Sequence, residues 1–433
     1  MPKKKTALTI EERLQQALVP AEEQPYEVPE NWVWVRLTNI ISLSTGKKDA
    51  NYGSDKGVYP FFTCASEPIA CNDYSFDGES ILVPGNGANV GLVIYYNGKF
   101  EAYQRTYVIQ KSKFNIKFIY YNMLAFWDEH NRNKQYGSAT NYIKLGNFES
   151  YNIALPPLSE QQRIVERIEE LFAKLDEAKE RLQEVADSFA VRKAAILHKA
   201  FTGELTQQWR RENGVSDESW EEKKLGEVGV LERGRSKHRP RNDERLFGGI
   251  YPFIQTGDVA NADMFIEKHS QTLSDFGMQQ SKLFAKNTIC ITIAANIGKV
   301  AILSYDSCFP DSVVGLTTDE KNSYKYVYYY LSTQQKELES KAPATAQKNI
   351  NLKVLNDLDI PLPSLPEQHE IVRLIDDLLA RERAAQQATE QALVSIDLMK
   401  KSILARAFRG ELGTNKASEA SALELLRQVL AEN

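Results

Sequence analysis

The residues with the clearest potential for catalysis are Asp311, which follows a proline, and the pair Glu339 and Lys341. Two acids and a lysine are typical of nucleases that hold Mg²⁺ and activate water. Glu339 and Lys341, however, lie in a helical stretch rich in Glu and Lys, where this spacing arises by chance. The matching positions earlier in the chain lack the acids; they are Gln104, Arg132 and Lys134. We therefore predict no catalytic residue, and an active nuclease is the least favoured hypothesis.

Other catalytic and metal-binding signatures are absent from the sequence. It has no NPPY-like tetrapeptide of the kind that holds a flipped adenine in a methyltransferase. It also has no GxxxxGK[ST] segment for ATP. The four cysteines form no CxxC pair and have no histidine at metal-ligand spacing; they are Cys64, Cys71, Cys290 and Cys308. We predict reduced, mostly buried thiols, no metal site and no cofactor in this chain.

A basic segment indicates contact with DNA. Six basic residues occur within 13 positions, and they are Arg233, Arg235, Lys237, Arg239, Arg241 and Arg245. A loop of this composition is too polar for a core and can neutralise phosphates. The corresponding earlier stretch is TGKKDANYGSDKG, which contributes Lys47, Lys48, Asn51 and Lys56. A solvated loop is the alternative interpretation of both segments.

A second pair of segments is rich in side chains that can recognise base edges. KQYGSATNY begins at Lys134, and its counterpart APATAQKN begins at Ala342. Gln, Asn and Arg side chains form paired hydrogen bonds with bases in the major groove. We predict base or phosphate contacts at Gln135, Asn141, Gln347, Lys348 and Asn349, and weaker candidates are Gln104, Arg105 and Lys299. Ordinary turn formation explains these residues almost as well.

Composition is that of an ordered globular protein. The 433 residues are 42% hydrophobic and 26% charged, which allows about three domains. No apolar run approaches the ~18 residues that cross a bilayer, and no secretory signal is recognisable, so we expect a cytoplasmic protein without membrane contact. A net charge of −5 argues against a protein that coats nucleic acid indiscriminately, but it permits local basic surfaces.

An internal repeat organises the chain. LPPLSEQQRIVERIEELF begins at Leu155, and LPSLPEQHEIVRLIDDLL begins at Leu362, an offset of 207 residues. AILHKAFTGEL at Ala195 recurs at the same offset as SILARAFRGEL. The segments between the copies differ in loop length and alternate short apolar runs with Gly, Asn and Pro, which is typical of mixed α/β domains.

The repeated segments themselves are predicted to be long helices. The first contains neither Gly nor Pro from Ser159 to Thr202, and Gly203 and Gly410 supply stops of the C-cap type. At ~1.5 Å per residue, ~42 residues form a rod of roughly 63 Å. Apolar residues recur with 4,3 spacing, which indicates a coiled coil. The predicted seam comprises Ile164, Ile168, Leu171, Leu175, Leu182 and Val185, with Ile371, Ile375, Leu378, Ile396 and Met399 in the second copy, where Glu382 and Thr389 interrupt it.

These observations predict two tandem mixed α/β domains separated by two long helices that form a coiled coil. The predicted boundaries are a helical arm (1–26), the first variable domain (27–157), a first spacer helix (158–214), the second variable domain (215–364), a second spacer helix (365–414) and a helical tail (415–433).

This arrangement resembles the specificity (S) subunit of type I restriction–modification systems. The resemblance is carried by PPLSEQQRIV and HKAFTGELTQQWR, with their copies PSLPEQHEIV and RAFRGEL, in tandem around two different domains. It implies that each variable domain is a target-recognition domain that reads one half of a bipartite, asymmetric DNA target. It implies too that the two long helices pair antiparallel as a spacer, so that the coiled coil is an antiparallel one. It also implies docking of methyltransferase (M) subunits, two in number, and of restriction (R) subunits, which carry S-adenosylmethionine, ATP and Mg²⁺.

The main alternative from another functional class is a structural adaptor that uses the repeats to bind two protein partners and no nucleic acid. The basic segment at Arg233 and its counterpart at Lys47 favour DNA.

Overall fold

A computed structural model describes residues 9–110, 112–137, 141–342 and 349–431. The chain divides into two units, of which the first comprises residues 1–183 and 391–433 and the second comprises residues 184–390. Each unit therefore contains one variable domain and a part of both long helices. Within the described residues, no helix combines the length and the apolar character needed to cross a membrane.

The first unit begins with helix α1 and builds its variable domain from short strands. Its elements are α1 (Ile10–Ala17), β1 (Val33–Arg36), β2 (Ser42–Thr45), β3 (Tyr59–Phe62), β4 (Ile69–Cys71), β5 (Glu79–Pro84), β6 (Ile94–Asn97), β7 (Glu101–Ala102), β8 (Thr106–Gln110), α2 (Ile116–Asn131), α3 (Leu145–Glu149) and β9 (Asn152–Leu155). The first long helix, α4 (Leu158–Phe201), leads into the second unit. The sheets have the strand orders β2-β8-β5-β6, β4-β3-β7 and β1-β9.

The second unit repeats this plan with extra strands. Its elements are α5 (Gln207–Asn213), β10 (Glu221–Lys224), α6 (Leu225–Val228), β11 (Gly229–Arg233), β12 (Phe247–Phe253), α7 (Thr256–Asn261), β13 (Phe265–Ile266), β14 (Gln271–Leu273), α8 (Asp275–Gln279), β15 (Leu283–Phe284), β16 (Ile289–Thr292), β17 (Val300–Leu303), β18 (Ser307–Cys308), β19 (Val313–Thr318), α9 (Tyr324–Thr333), α10 (Gln335–Ser340), α11 (Leu352–Asn356) and β20 (Asp359–Leu362). The second long helix, α12 (Leu365–Ala407), returns to the first unit, where the tail helix α13 (Ala422–Ala431) follows it.

The order β11-β19-β16-β17 in the second unit matches β2-β8-β5-β6 in the first, and β13 is added at the edge. Each central strand separates two apolar cores. Ile81 and Val83 of β5 pack into the main core of the first unit, whereas Leu82 between them packs into a smaller cluster on the other face. Because side chains alternate across a strand, a sheet covered on both faces reads as a continuous apolar run. The mixed α/β prediction is confirmed for both domains.

The two long helices pair antiparallel within each unit. In the first unit, Asp176 of α4 pairs with Lys400 of α12, and Lys179 Nζ lies 3.0 Å from Asp397. In the second unit, Arg192 Nε lies 2.9 Å from a carboxylate oxygen of Glu382. The two residue numbers of each pair add up to nearly the same value, as expected for two helices that run antiparallel in a coiled coil. The predicted antiparallel coiled coil is confirmed.

The predicted seam holds near the helix ends and fails at two positions. Ile164, Ile168, Ile371 and Ile375 are fully buried and Ile396 is 5% exposed, whereas Leu171, Leu175, Leu182 and Leu378 are half-buried. Val185 was predicted wrongly, since it is 41% exposed. Met399 was also predicted wrongly, since it is 52% exposed.

The spacing of the buried residues explains these errors. On α4 the covered residues are Ala178, Leu182, Ala186 and Phe189. The first two steps in this series are both of four residues, so Ala186 takes the covered place that the 4,3 spacing gives to Val185. A straight helix has 3.6 residues per turn, so a strict 3.5-residue repeat drifts around it unless the helices supercoil. The polar interruptions are satisfied, because Glu382 pairs with Arg192 and the Thr389 hydroxyl donates to Ala385 O at 2.8 Å.

Candidate nucleic-acid interface

Loops from four parts of the first variable domain meet at one edge of its main sheet. Because β8 runs antiparallel to both β2 and β5, the end of β2, the start of β8 and the end of β5 lie together. Gln104 N donates to Lys48 O at 2.9 Å, and Gly85 N donates to Arg105 O at 2.8 Å. Gly87 N donates to Asn141 O at 2.8 Å, so the end of the amide-rich segment that begins at Lys134 also lies at this edge. We call residues 46–49, 85–87, 104–105 and 141–143 the first loop edge.

The second variable domain has an equivalent edge. Gly234 N donates to Val313 O at 2.9 Å, and Arg235 N donates to Phe309 O at 3.0 Å. Asn349 forms an antiparallel bridge with Ala294, in the position that the bridge between Asn86 and Tyr142 has in the first domain. We call residues 233–241, 293–299, 309–312 and 349–350 the second loop edge, since the basic loop also contacts it through Arg241 and Asp311. Both loop segments predicted from the sequence therefore reach the same edge of each sheet.

A glycine makes each of these edges compact. A Cβ atom on Gly46 would lie 1.9 Å from Ala102 O, and one on Gly234 would lie 2.3 Å from Pro310 O. Neither distance is possible for a real side chain. Only glycine therefore allows the basic loop of each domain to leave its strand so close to the neighbouring backbone. The glycine in TGKK and in RGRS thus fixes where Lys47 and Arg235 emerge.

The basic loop of the second unit is only partly neutralised by its own acids. Arg241 contacts Asp311 at 2.9 Å, and Arg245 contacts Asp243 at 2.7 Å. The hydrogen bonds from Arg245, followed by one from His238, hold the pKa of Asp243 well below its usual range, so this carboxylate stays ionised beside Arg245.

The other cations of this loop keep their charge available. Within the described residues, Arg233, Arg235 and Lys237 are exposed and have no ion pair, and Arg239 donates only to the carbonyls of Ser236 and His238, both at 2.8 Å. Four of the six predicted cations therefore present an uncompensated charge to a ligand.

The first loop edge carries fewer charges, and an aromatic ring lies beside one of them. Lys48 Nζ lies 4.0 Å from the ring centroid of Tyr52, and a hydrogen bond with Tyr52 raises the pKa of Lys48. Gln104 Nε2 donates to Asp49 Oδ1 at 3.1 Å across the edge. Lys47 and Arg105 are exposed. The edge also borders a cleft of about 210 Å³, which is lined by Thr45, Gly85, Asn86, Gln104, Arg105, Tyr107, Tyr142 and Ile143.

Some predicted residues do not gather at these edges. Lys56 precedes β3 and lies at the end of that strand where Tyr59 pairs with Cys71. The opposite end of β3 is the one near the first loop edge, because Tyr103 N donates to Phe62 O there. Asn51 is exposed in the same loop as Lys48, and Gln135 is half-buried just before Tyr136. Lys299 is half-buried at the β16–β17 turn, within the second loop edge. Gln347 and Lys348 lie outside the described residues.

The acids of the nuclease-like string have other partners. Asp311 contacts Arg241, Glu339 accepts a hydrogen bond from Gln335 at 2.8 Å, and Lys341 pairs with Glu337 at 2.6 Å. No cluster of three or more metal-ligating side chains is present in the part of the chain that the structure describes. The four cysteines are free thiols, and all except the half-buried Cys64 are buried.

Sequence reasoning missed the joints between the variable domains and the long helices. The repeated Glu-Gln pair at the start of each long helix is buried. Glu160 accepts from Trp32 Nε1 and Asn415 Nδ2, both at 2.9 Å. Glu367 accepts from Trp220 Nε1 at 3.1 Å, from Thr206 at 2.7 Å and from Arg210 at 2.7 Å.

The glutamines are used identically in the two units. Gln161 Nε2 donates to Pro156 O, and its Oε1 accepts from Asn115 N, which caps α2. Gln368 Nε2 donates to Pro363 O, and its Oε1 accepts from Ser323 N, which caps α9. Each pair therefore ties the start of a variable domain and its main helix to the start of a long helix. The signal was the repetition of Glu-Gln at offset 207.

Comparison with known proteins agrees with this architecture. The type I restriction modification DNA specificity domain matches twice, over residues 29–187 and 217–393. The EcoDI specificity subunit of Escherichia coli is 30% identical, over 94% of this chain and 96% of that subunit. The MjaVIII specificity subunit of Methanocaldococcus jannaschii is 26% identical, over 84% of this chain and 91% of that subunit.

Two solved structures share the fold. The HsdS subunit from Thermoanaerobacter tengcongensis has a TM-score of 0.63 and 19% identity, and a chain from a study of complex assembly and conformational transition of the type I R-M system has a TM-score of 0.68 and 20% identity. In both cases the likeness covers 90% of this chain and 100% of the other. From its two matched domains and its near-complete alignment with curated subunits, the chain belongs to the type I restriction–modification DNA specificity family, as a DNA-recognition subunit and not a catalytic one.

Proposed function

We propose that the first and second loop edges each bind one half of a bipartite, asymmetric target in double-stranded DNA. The observation that carries this proposal is the duplicated geometry, in which corresponding loops meet at corresponding sheet edges but carry different side chains. Different side chains at one position of a common scaffold are what two different half-sites require. The uncompensated cations of the second edge favour DNA over a protein partner.

We assign phosphate contacts to the exposed cations of the basic loop, and base contacts to the residues nearest the strand ends. Arg235, Lys237 and Arg239 are exposed and would neutralise backbone charge. Arg105, Asn141 and Asn349 lie close to strand ends, where guanidinium and amide groups can form paired hydrogen bonds with base edges. Gln347, Lys348 and Lys299 remain predicted contacts of the second half-site.

The other activities of the system are assigned to partners. M subunits, two in number, would dock on the long helices, and R subunits would complete the complex. S-adenosylmethionine, ATP and Mg²⁺ would be bound by those subunits, and the complex would act on DNA in the cytoplasm. The long helices would set the spacing between the half-sites while contributing nothing to the choice of bases.

Selection from a randomised DNA pool tests this proposal. The full chain assembled with its M subunits should enrich duplexes with two short constant segments of different sequence, separated by a spacer of fixed length and variable sequence. Enrichment of one uninterrupted site would contradict the assignment of one half-site to each domain. No enrichment at any salt concentration would instead support the structural adaptor.

A further inference from the structure

Two tyrosines form a stacked aromatic pair next to the first loop edge. Tyr136 N donates to Tyr142 O and Tyr142 N donates to Tyr136 O, both at 2.9 Å. The rings are stacked, with centroids 5.6 Å apart and planes inclined by 26°. Lys144 Nζ lies 4.3 Å from the Tyr136 centroid. These contacts fix the orientation of Tyr136, although 43% of the residue is exposed to solvent.

The pair is attached directly to the proposed DNA-binding surface. Tyr142 forms a bridge with Asn86, and the next residue, Ile143, donates its N–H to Gly85 O at 2.9 Å. Tyr142 also lines the 210 Å³ cleft together with Arg105. The exposed ring of Tyr136 therefore borders the side chains that we assign to base contact.

An exposed, immobilised aromatic ring at such a place has a specific use in DNA recognition. Nucleobases stack on aromatic side chains irrespective of their hydrogen-bonding pattern. Proteins that deform duplex DNA insert apolar side chains between base steps. Because the backbone bonds and the Tyr142 ring already hold Tyr136, little conformational entropy is lost when a base packs on it. The counterpart segment APATAQKN in the second domain has no aromatic residue.

We propose that Tyr136 stacks on a base of the half-site that the first variable domain reads. The assignment rests on the proposed function and adds to it a residue that acts through ring contact and not through hydrogen bonds. The Lys144 ammonium, 4.3 Å from the Tyr136 centroid, supplies a positive charge beside the stacked nucleotide. The counterpart segment APATAQKN offers no ring for such a contact, so the two half-sites should differ in how strongly the duplex is distorted.

Tyr74 provides a matched control in the same domain. It is also 43% exposed, and Lys99 Nζ lies 4.6 Å from its ring centroid. Its nearest aromatic neighbour is Tyr59, at a centroid distance of 5.0 Å. Tyr74 follows β4, however, and Tyr59 begins β3, at the end of that strand remote from the first loop edge. The two tyrosines thus share exposure and surroundings but differ in location.

Photo-crosslinking tests the proposal on the full chain assembled with its M subunits. The selected target carries 5-iodouracil or 5-iodocytosine at one pyrimidine at a time, and mass spectrometry identifies the residue joined after irradiation. We expect a crosslink between Tyr136 and the first half-site. Tyr136→Leu should lower affinity about tenfold without changing the salt slope, because no charge is removed. Tyr136→Phe and Tyr74→Leu should bind as the unsubstituted chain does.

Two results would overturn the assignment while the unsubstituted chain still binds its target. One is an affinity of Tyr136→Leu within twofold of the unsubstituted chain, and the other is crosslinking confined to other residues. Because the crosslink is measured on the unsubstituted chain, a Tyr136→Leu chain that fails to fold leaves this test intact. Failure of the unsubstituted chain to bind any selected duplex would reject the proposed function itself.

Discussion

Replacing Arg235, Lys237 and Arg239 together by glutamine is expected to flatten the salt dependence of DNA binding. Each phosphate contact contributes about 0.9 to the slope of log affinity against log salt concentration, so three contacts contribute about 2.7. Between 50 and 200 mM salt, a fourfold change, that difference in slope corresponds to about 40-fold. The affinity deficit of the variant should therefore be about 40 times larger at 50 mM than at 200 mM.

The structure supplies a control with the same loss of charge. Lys268, Lys286 and Lys321 are exposed in the same unit. Lys286 precedes β16, Lys321 follows β19 and Lys268 follows β13, which places all three at the opposite edge of the sheet. Their replacement by glutamine should leave the slope unchanged, since they lie at the strand ends opposite to the second loop edge.

Fluorescence anisotropy of a labelled target, titrated at four or more salt concentrations, measures both slopes. If the loop variant retains the original slope, the basic loop does not contact phosphates. If both triple variants flatten the slope equally, net charge and not local contact determines binding. Either result would refute the placement of DNA at the second loop edge.

Three further predictions concern the joints, the helices and the absence of catalysis. Glu367→Ala should destabilise the second unit by about 3 kcal/mol, because the buried Arg210 loses one carboxylate partner and keeps only Asp217. Urea denaturation measures this loss of stability. The control is Asp377→Ala, which breaks a surface ion pair on the same helix and should cost under about 0.5 kcal/mol. Inserting one heptad in each long helix should lengthen the DNA spacer by about three base pairs, since seven residues add ~10 Å and duplex DNA rises ~3.4 Å per base pair. Selection from a randomised DNA pool should return unchanged half-sites with the longer spacer. Altered half-sites with an unchanged spacer would contradict the role of the helices in setting the spacing. The purified chain alone should neither methylate nor cut DNA nor hydrolyse ATP, and cleavage abolished by Glu339→Ala would show the opposite.

The long helices and the repeat could be predicted from the sequence because their signals are local. A Gly-free and Pro-free run, a 4,3 apolar spacing and a closing glycine each involve residues a few positions apart. The errors at Val185 and Met399 arose where the spacing was extrapolated beyond the point at which the buried face shifts around the helix. That shift depends on how the paired helices supercoil, which a strict heptad pattern does not reveal.

The candidate interface could be predicted in composition but not in geometry. The basic and amide-rich loops could be recognised from the sequence. However, Lys56 lies at the end of β3 that is remote from the first loop edge, and Arg241 is neutralised by Asp311, 70 residues later. The joints were hidden for the same reason, since Trp32 and Glu160 are 128 residues apart. Contacts between distant segments follow from the strand order, and no local spacing rule supplies that order.

Whether each domain reads one half-site is tested most directly by sequencing the methylome of cells that express this chain with its M subunits, beside cells in which residues 215–364 are replaced by the matching domain of a relative. We expect one methylated motif with two constant halves in the first cells, and a motif with one half changed and the other preserved in the second. A motif in which both halves change together, or neither does, would contradict the claim that each domain reads one half-site.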